Sequence, residues 1–175
     1  MIRKDFKELA RSFVFAFKGI AYCVKNERNM RIHLCMAVFV TLFSYLFGVS
    51  YIEYLILIIC IAIVITGEMV NTAIETLTNL ESPSYHYLAK IAKDVAAGAV
   101  FIAASVSVVV GIVIFFKPQQ LWNTLLLIFT NPLNVIILII LLILSFLFIF
   151  NGTQLVGEPK TKIYHMKNYD NNNMK

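Results

Sequence analysis

No glycine-rich loop that could cradle phosphates occurs anywhere in the chain. There is no Walker A sequence and no Gly-x-Gly-x-x-Gly, and the seven glycines are scattered, which excludes the nucleotide-binding folds of soluble enzymes that rely on such a loop. Cysteine is nearly as sparse. Cys23, Cys35 and Cys60 are odd in number and lack metal spacing, so they are expected to be small apolar fillers. No aromatic-and-basic pattern suggests a nucleic-acid groove, and no repeat suggests a transporter built from two halves. The N-terminal charges are interleaved with apolar residues. A signal peptide would place an apolar stretch and a small-residue cleavage site after them. Charge is scarce too, with 14% of residues ionisable as Asp, Glu, Lys or Arg.

What is present is hydrocarbon. Of the 175 residues 59% are hydrophobic, and the mean hydropathy is +0.78; soluble domains hold about 45–50% apolar residues. The excess lies in long blocks, which indicates an integral membrane protein with one helical domain and no dividing linker. The formal charge of +5 is concentrated early. Arg3, Lys4, Lys7, Arg11, Lys18, Lys25, Arg28 and Arg31 all precede the first long apolar block, a placement that suits an anionic cytoplasmic leaflet.

Taken in order, Phe6, Leu9, Ala10, Phe13, Val14, Phe17, Ile20, Ala21 and Val24 repeat at helical spacing, with Lys4, Lys7, Glu8, Arg11 and Lys18 opposite. This predicts an interfacial amphipathic helix over Asp5–Val24. Lys25–Arg31 reads as a positive-inside flank. Candidate spans follow at Ile32–Val49, Tyr51–Leu77 and Asp94–Phe116. The polar loop from Asn79 to His86, broken by Pro83, is expected on the cytoplasmic side. Ala92, Ala96, Ala99 and Ala103 form a small-residue stripe of the kind that brings membrane helices together. Gln119–Asn131 is too short to span and reads as interfacial, with Trp122 as an anchor. Leu133–Phe150 is a fourth span without an ionisable residue, and the polar tail from Asn151 is expected to be disordered. Three regions result: 1–117 as the functional membrane domain, 118–150 as an appended interfacial segment and span, and 151–175 as the tail. The appended region, with no ionisable residue before Glu158, is expected to be dispensable for chemistry.

Within this hydrocarbon, Gly67-Glu68-Met69-Val70-Asn71-Thr72-Ala73-Ile74-Glu75 stands apart. An ionised side chain deep in a bilayer costs about 2.5–3.5 kcal/mol on insertion scales, so such residues are rare without a function. Glu68, Asn71, Thr72 and Glu75 share one helix face by their spacing. Glu27, Lys93 and Asp94 are expected at the same membrane surface. Carboxylates gathered with an amide suit a divalent metal with oxygen ligands, a lysine suits phosphate, and a remaining carboxylate could serve as a general base. The residues alone support a membrane enzyme using metal and phosphate; a small non-catalytic pore or envelope-stress protein is the competing class.

Three stretches go further: Glu-Arg-Asn-Met-Arg-Ile-His-Leu (Glu27–Leu34), Glu-Met-Val-Asn-Thr-Ala-Ile-Glu (Glu68–Glu75) and Ser82–Val100 with its Ala-Lys-Asp. Together they resemble the prokaryotic diacylglycerol kinase family, over roughly Phe6–Phe116, and in particular its undecaprenol kinase branch. The resemblance implies an all-α membrane protein, a homotrimer whose subunits each carry a surface helix and three spans. It implies transfer of the γ-phosphate of ATP to a lipid hydroxyl, undecaprenol or alternatively diacylglycerol, in the cell membrane with the site facing the cytoplasm. It assigns Glu68 as catalytic base with Asn71 in the active site, Glu27 and Glu75 as ligands of Mg²⁺, and Tyr85, His86, Lys93 and Asp94 to the nucleotide. Asn79 stands where many members carry Asp, and the fourth span and tail have no counterpart in short members.

Overall fold

In the computed structural model, which describes residues 2–81 and 87–155, the described chain forms six helices: α1 (Ile2–Asn26), α2 (Arg28–Phe47), α3 (Tyr51–Glu81), α4 (Tyr87–Phe115), α5 (Pro118–Thr130) and α6 (Pro132–Leu155). Four of them, α2, α3, α4 and α6, are long and apolar enough to cross a membrane. The expected fold is therefore present: an amphipathic first helix, three spans, a short helix and an added fourth span. With a rise of 1.5 Å per residue, α2 is about 30 Å long, the thickness of a hydrocarbon core, whereas α3 and α4 reach about 45 Å. The surplus length of α3 and α4 carries polar residues beyond the apolar layer. Expected boundaries shift for this reason. α4 starts at Tyr87 rather than Asp94, and α3 runs on to Glu81. Of the loop expected over Asn79–His86, residues 79–81 continue α3, and of the disordered tail expected from Asn151, residues 151–155 continue α6, because each helix runs past its apolar stretch; residues 82–86 and those from 156 on lie outside the described residues.

Helix α1 leaves Phe6, Leu9, Phe13 and Phe17 exposed along its length, an apolar face that lipid can cover. Near its end Cys23 is buried. A single extended residue, Glu27 (φ −103°, ψ 117°), separates α1 from α2. The far end of α2 closes on Gly48 at φ 70°, whose N–H reaches the carbonyls of Ser44 and Tyr45. This left-handed cap needs glycine because a Cβ would be strained there. Ser50 and Glu53 then cap α3 reciprocally. The Ser50 N–H donates to Glu53 Oε2 at 2.8 Å and the Glu53 N–H to Ser50 Oγ at 3.3 Å, a capping box that joins two helices by a tight turn. Lys117 Nζ reaches Glu53 Oε1 at 2.7 Å, and Gln120 Nε2 reaches the Phe47 carbonyl at 2.5 Å. Phe43, Phe47 and Phe115 pack with centroids 5.0–5.7 Å apart, two of the three pairs edge to face. Pro118 and Pro132 open α5 and α6, where a fixed φ favours helix initiation.

The most extensive packing is between α3 and α4. Gly67 faces Val100, whose Cγ2 would lie 3.6 Å from a Cβ at that position. Ala96, a member of the small-residue stripe, is 8% exposed. The close approach that the stripe permits is therefore used, at Ala96, inside one chain. The single sequence cannot distinguish that use from subunit contact, since both need the same small side chains.

Arg31 is the least expected part of the fold. It is 4% exposed, although its charge reads as a surface flank. Its Nη1 donates to the Val24 and Lys25 carbonyls at 3.0 Å each, and its Nε to the Ile149 carbonyl at 3.2 Å. Val24 and Lys25 belong to the last turn of α1, whose carbonyls have no partner within the helix. The guanidinium thus compensates the negative end of one helix while holding a second, α6. Arg28 stacks on Phe150, with Cζ 4.6 Å from the ring centroid. The appended span is fastened to the junction between α1 and α2. Arg31→Met, which keeps most of the stem and removes every side-chain donor, is expected to lower stability by about 1–3 kcal/mol through the part-buried carbonyls it leaves unpaired. Unfolding in mixed detergent micelles would measure it, and an unchanged transition would refute it.

Candidate active site

Both carboxylates of the Glu68–Glu75 stretch lie on α3, but two turns apart they meet different surroundings. Glu68 is 2% exposed and Thr72, one turn on, is 3% exposed. Asn71 is half-buried, and the Glu75 side chain is 45% exposed. The polar face is therefore graded, from a buried carboxylate to an accessible one.

Glu68 faces His33 of α2, with Nε2 3.2 Å from Oε1. Its second oxygen, Oε2, is buried without a hydrogen-bond partner among the described residues. The Thr72 hydroxyl donates to the Glu68 backbone carbonyl at 2.9 Å and so leaves the carboxylate free. A buried acid with one unsatisfied oxygen is costly in a purely structural role. It is also the arrangement a proton acceptor requires. From His33 an apolar groove of about 380 Å³ runs between α2, α3 and α4. Met36, Val40, Leu57, Val64 and Val108 line it, and Phe115 closes its far end.

Toward the helix ends, Lys93 of α4 donates to Asn79 Oδ1 at 2.6 Å and lies 3.9 Å from Glu75 Oε1. The asparagine at 79 thus still offers an oxygen to the lysine without adding a charge. Asp94 is exposed beside it. Glu27 sits half-buried at the junction between α1 and α2. Burial pushes its carboxyl above the usual range, and the charges of Glu75 and Glu68 push in the same direction. These carboxylates are close enough to repel one another, so a cation between them would be stabilised. No group of three metal-ligating side chains occurs among the described residues. Two carboxylates would suffice for Mg²⁺, which keeps several waters and takes few protein ligands.

Of the residues expected at the site, Glu27, Glu68, Asn71, Glu75, Lys93 and Asp94 are described, and all lie toward the end of the bundle that holds the α1–α2 junction. Tyr85 and His86 lie outside the described residues. His33 belongs to the Glu27–Leu34 stretch, and the resemblance assigns it no role. The sequence holds no local signal for it, because its pairing with Glu68 depends on the register of two antiparallel helices.

A profile of the prokaryotic diacylglycerol kinase family matches residues 14–115. The chain is 38% identical over 113 residues to an undecaprenol kinase of Bacillus subtilis, covering 65% of this chain and 92% of that one. It is 40% identical over 108 residues to a diacylglycerol kinase of Synechocystis, covering 61% and 62% of the two chains. A diacylglycerol kinase of Haemophilus influenzae is 29% identical over 109 residues, with 62% and 92% covered. No solved structure matches the chain significantly. The matched segment contains α2, α3, α4 and every described residue of the site, and it stops before α5 and α6. A buried acid beside an apolar groove, a lysine and paired carboxylates at the helix ends, and this span of similarity have one reading: the chain belongs to the prokaryotic diacylglycerol kinase family and is a membrane lipid kinase.

Proposed function

We propose that the acceptor is undecaprenol and that the reaction takes place at the cytoplasmic face of the cell membrane, in a homotrimer. The observation that carries the chemistry is Glu68, buried with one free oxygen and paired through the other with His33, which lines the apolar groove. The groove suits the hydrocarbon next to a primary hydroxyl. Glu68 accepts the hydroxyl proton as the oxygen attacks the γ-phosphorus; the bond from that phosphorus to the β–γ bridging oxygen breaks, and ADP leaves. Asn71, one turn along the same face, orients the reacting groups. Lys93 offers its ammonium to the phosphates, while Asp94, Tyr85 and His86 hold the nucleotide. Glu27 and Glu75 would hold Mg²⁺, which neutralises charge on the phosphates when bound. Lys93 is held by an amide and a partly exposed carboxylate, an arrangement worth little in stability, so it can turn to a phosphate at small cost.

Undecaprenol is favoured by the Bacillus subtilis relative, which the chain covers almost completely. Diacylglycerol is the second reading, favoured by the Synechocystis relative at similar identity. Purified protein incubated with labelled ATP and each lipid would decide, and phosphorylation of diacylglycerol but not undecaprenol would reverse the assignment. The trimer is tested by mass in mild detergent, where a fully active monomer would count against it.

A further inference from the structure

The side chain that meets the buried carboxylate is His33. We propose that His33 is a positioning residue for this reaction: it holds Oε1 of Glu68, leaves Oε2 as the proton-accepting oxygen, and forms the inner wall of the groove that carries the acceptor. The inference rests on the lipid-kinase reading with Glu68 as base.

Three observations support it. First, a carboxylate in an apolar bundle needs a donor to fix its rotation and offset its charge. Three other donors on these helices are engaged elsewhere. The Thr72 hydroxyl bonds a backbone carbonyl, Arg31 bonds three carbonyls, and Lys93 bonds Asn79. His33 Nε2–H, at 3.2 Å from Oε1, supplies what they do not. Second, one side of the residue remains open: the His33 side chain is 24% exposed and lines the groove with Met36, Ala37 and Val40. These positions follow one another at helical spacing on one face of α2. A chain lying along them brings its terminal oxygen to the imidazole and thus to Glu68. Third, His33 and Glu68 come from different helices, so their contact fixes the register of α2 against α3 at the depth where the reaction occurs.

The test is a double-mutant cycle on kcat, with the acceptor that the wild-type protein phosphorylates. His33→Leu keeps bulk but removes the donor, and it is expected to lower kcat about 10- to 100-fold, the worth of a hydrogen bond to a charged group. The KM for ATP should stay unchanged. His33→Gln places an amide N–H at a similar reach and should recover most of that loss. In a Glu68→Gln background, His33→Leu should add almost nothing, because there is no longer a base to position. Losses that multiply across the cycle, or a His33→Gln as poor as His33→Leu, would overturn the proposal while leaving the lipid-kinase reading intact. A wild-type protein that phosphorylates neither lipid would remove that reading and this inference together.

Discussion

Glu68→Gln is expected to lower kcat by on the order of 10²–10⁴, the usual worth of a general base. The lower end applies if the transition state is loose and little charge develops on the attacking oxygen. The substitution is nearly isosteric. The amide oxygen can still accept from His33 Nε2, now 3.2 Å from Oε1, so the register of α2 and α3 is kept. Removing a buried charge also relieves desolvation, and thermal stability should be unchanged or higher. ATP affinity and metal dependence should stay near the wild-type values, since Glu68 lies two helical turns from Glu75. The combination of lost turnover with intact stability and intact nucleotide binding separates a reacting group from a structural one. A Glu68→Gln protein that turns over at the wild-type rate would remove Glu68 from the mechanism.

Glu75→Gln should behave differently. Its carboxylate is 45% exposed and its nearest cation, Lys93, is 3.9 Å away. An ion pair so exposed contributes about 0–1 kcal/mol, and the fold should not notice its loss. Under the proposed role as a metal ligand, the effect should fall on metal and nucleotide. Changes to residues that merely support a metal ligand cost about 10–100-fold in affinity or activity, and loss of a ligand itself should cost no less. The expected result is a rise of that size in the Mg²⁺ concentration for half-maximal activity, with weaker ATP binding, partly recovered at high metal. Glu27→Gln should follow the same pattern. If added Mg²⁺ rescued Glu68→Gln and not Glu75→Gln, the roles of base and ligand would have to be exchanged.

The parts of this molecule that the sequence displays are those set by local pattern. The four spans, the amphipathic first helix and the Glu68–Glu75 face follow from hydropathy and helical spacing, which act over neighbouring residues. Arg31 departs from its expected place because lysines and arginines before a span ordinarily face water and headgroups. Its acceptors are backbone carbonyls, one of them at Ile149, and a carbonyl has no residue type to recognise. The place of His33 is hidden for a related reason, since its partner is fixed by how two helices slide against each other. The alanine stripe was legible as a packing surface, but not as to which helix it packs on. Glu53, a charge near the start of the second span, has no cation close in sequence; Lys117, just beyond the end of the neighbouring α4, answers it.

The aromatic cluster at the far end of the groove bears on how this enzyme can measure its substrate. The lining on α2 extends from Ile32 to Val40, and on α3 from Leu57 to Ile65, with Phe115 beyond them. Eight helical steps amount to about 12 Å. A long polyisoprenoid, the acceptor proposed above, cannot be accommodated whole in that distance, so at the phenylalanines its remainder would have to turn out into the bilayer. On the proposed reading the protein would recognise only the units next to the hydroxyl and would be blind to total length. Shortened prenols with the same terminal units should accordingly be phosphorylated with similar kcat/KM, and a steep dependence on overall length would show that the groove is not the gauge.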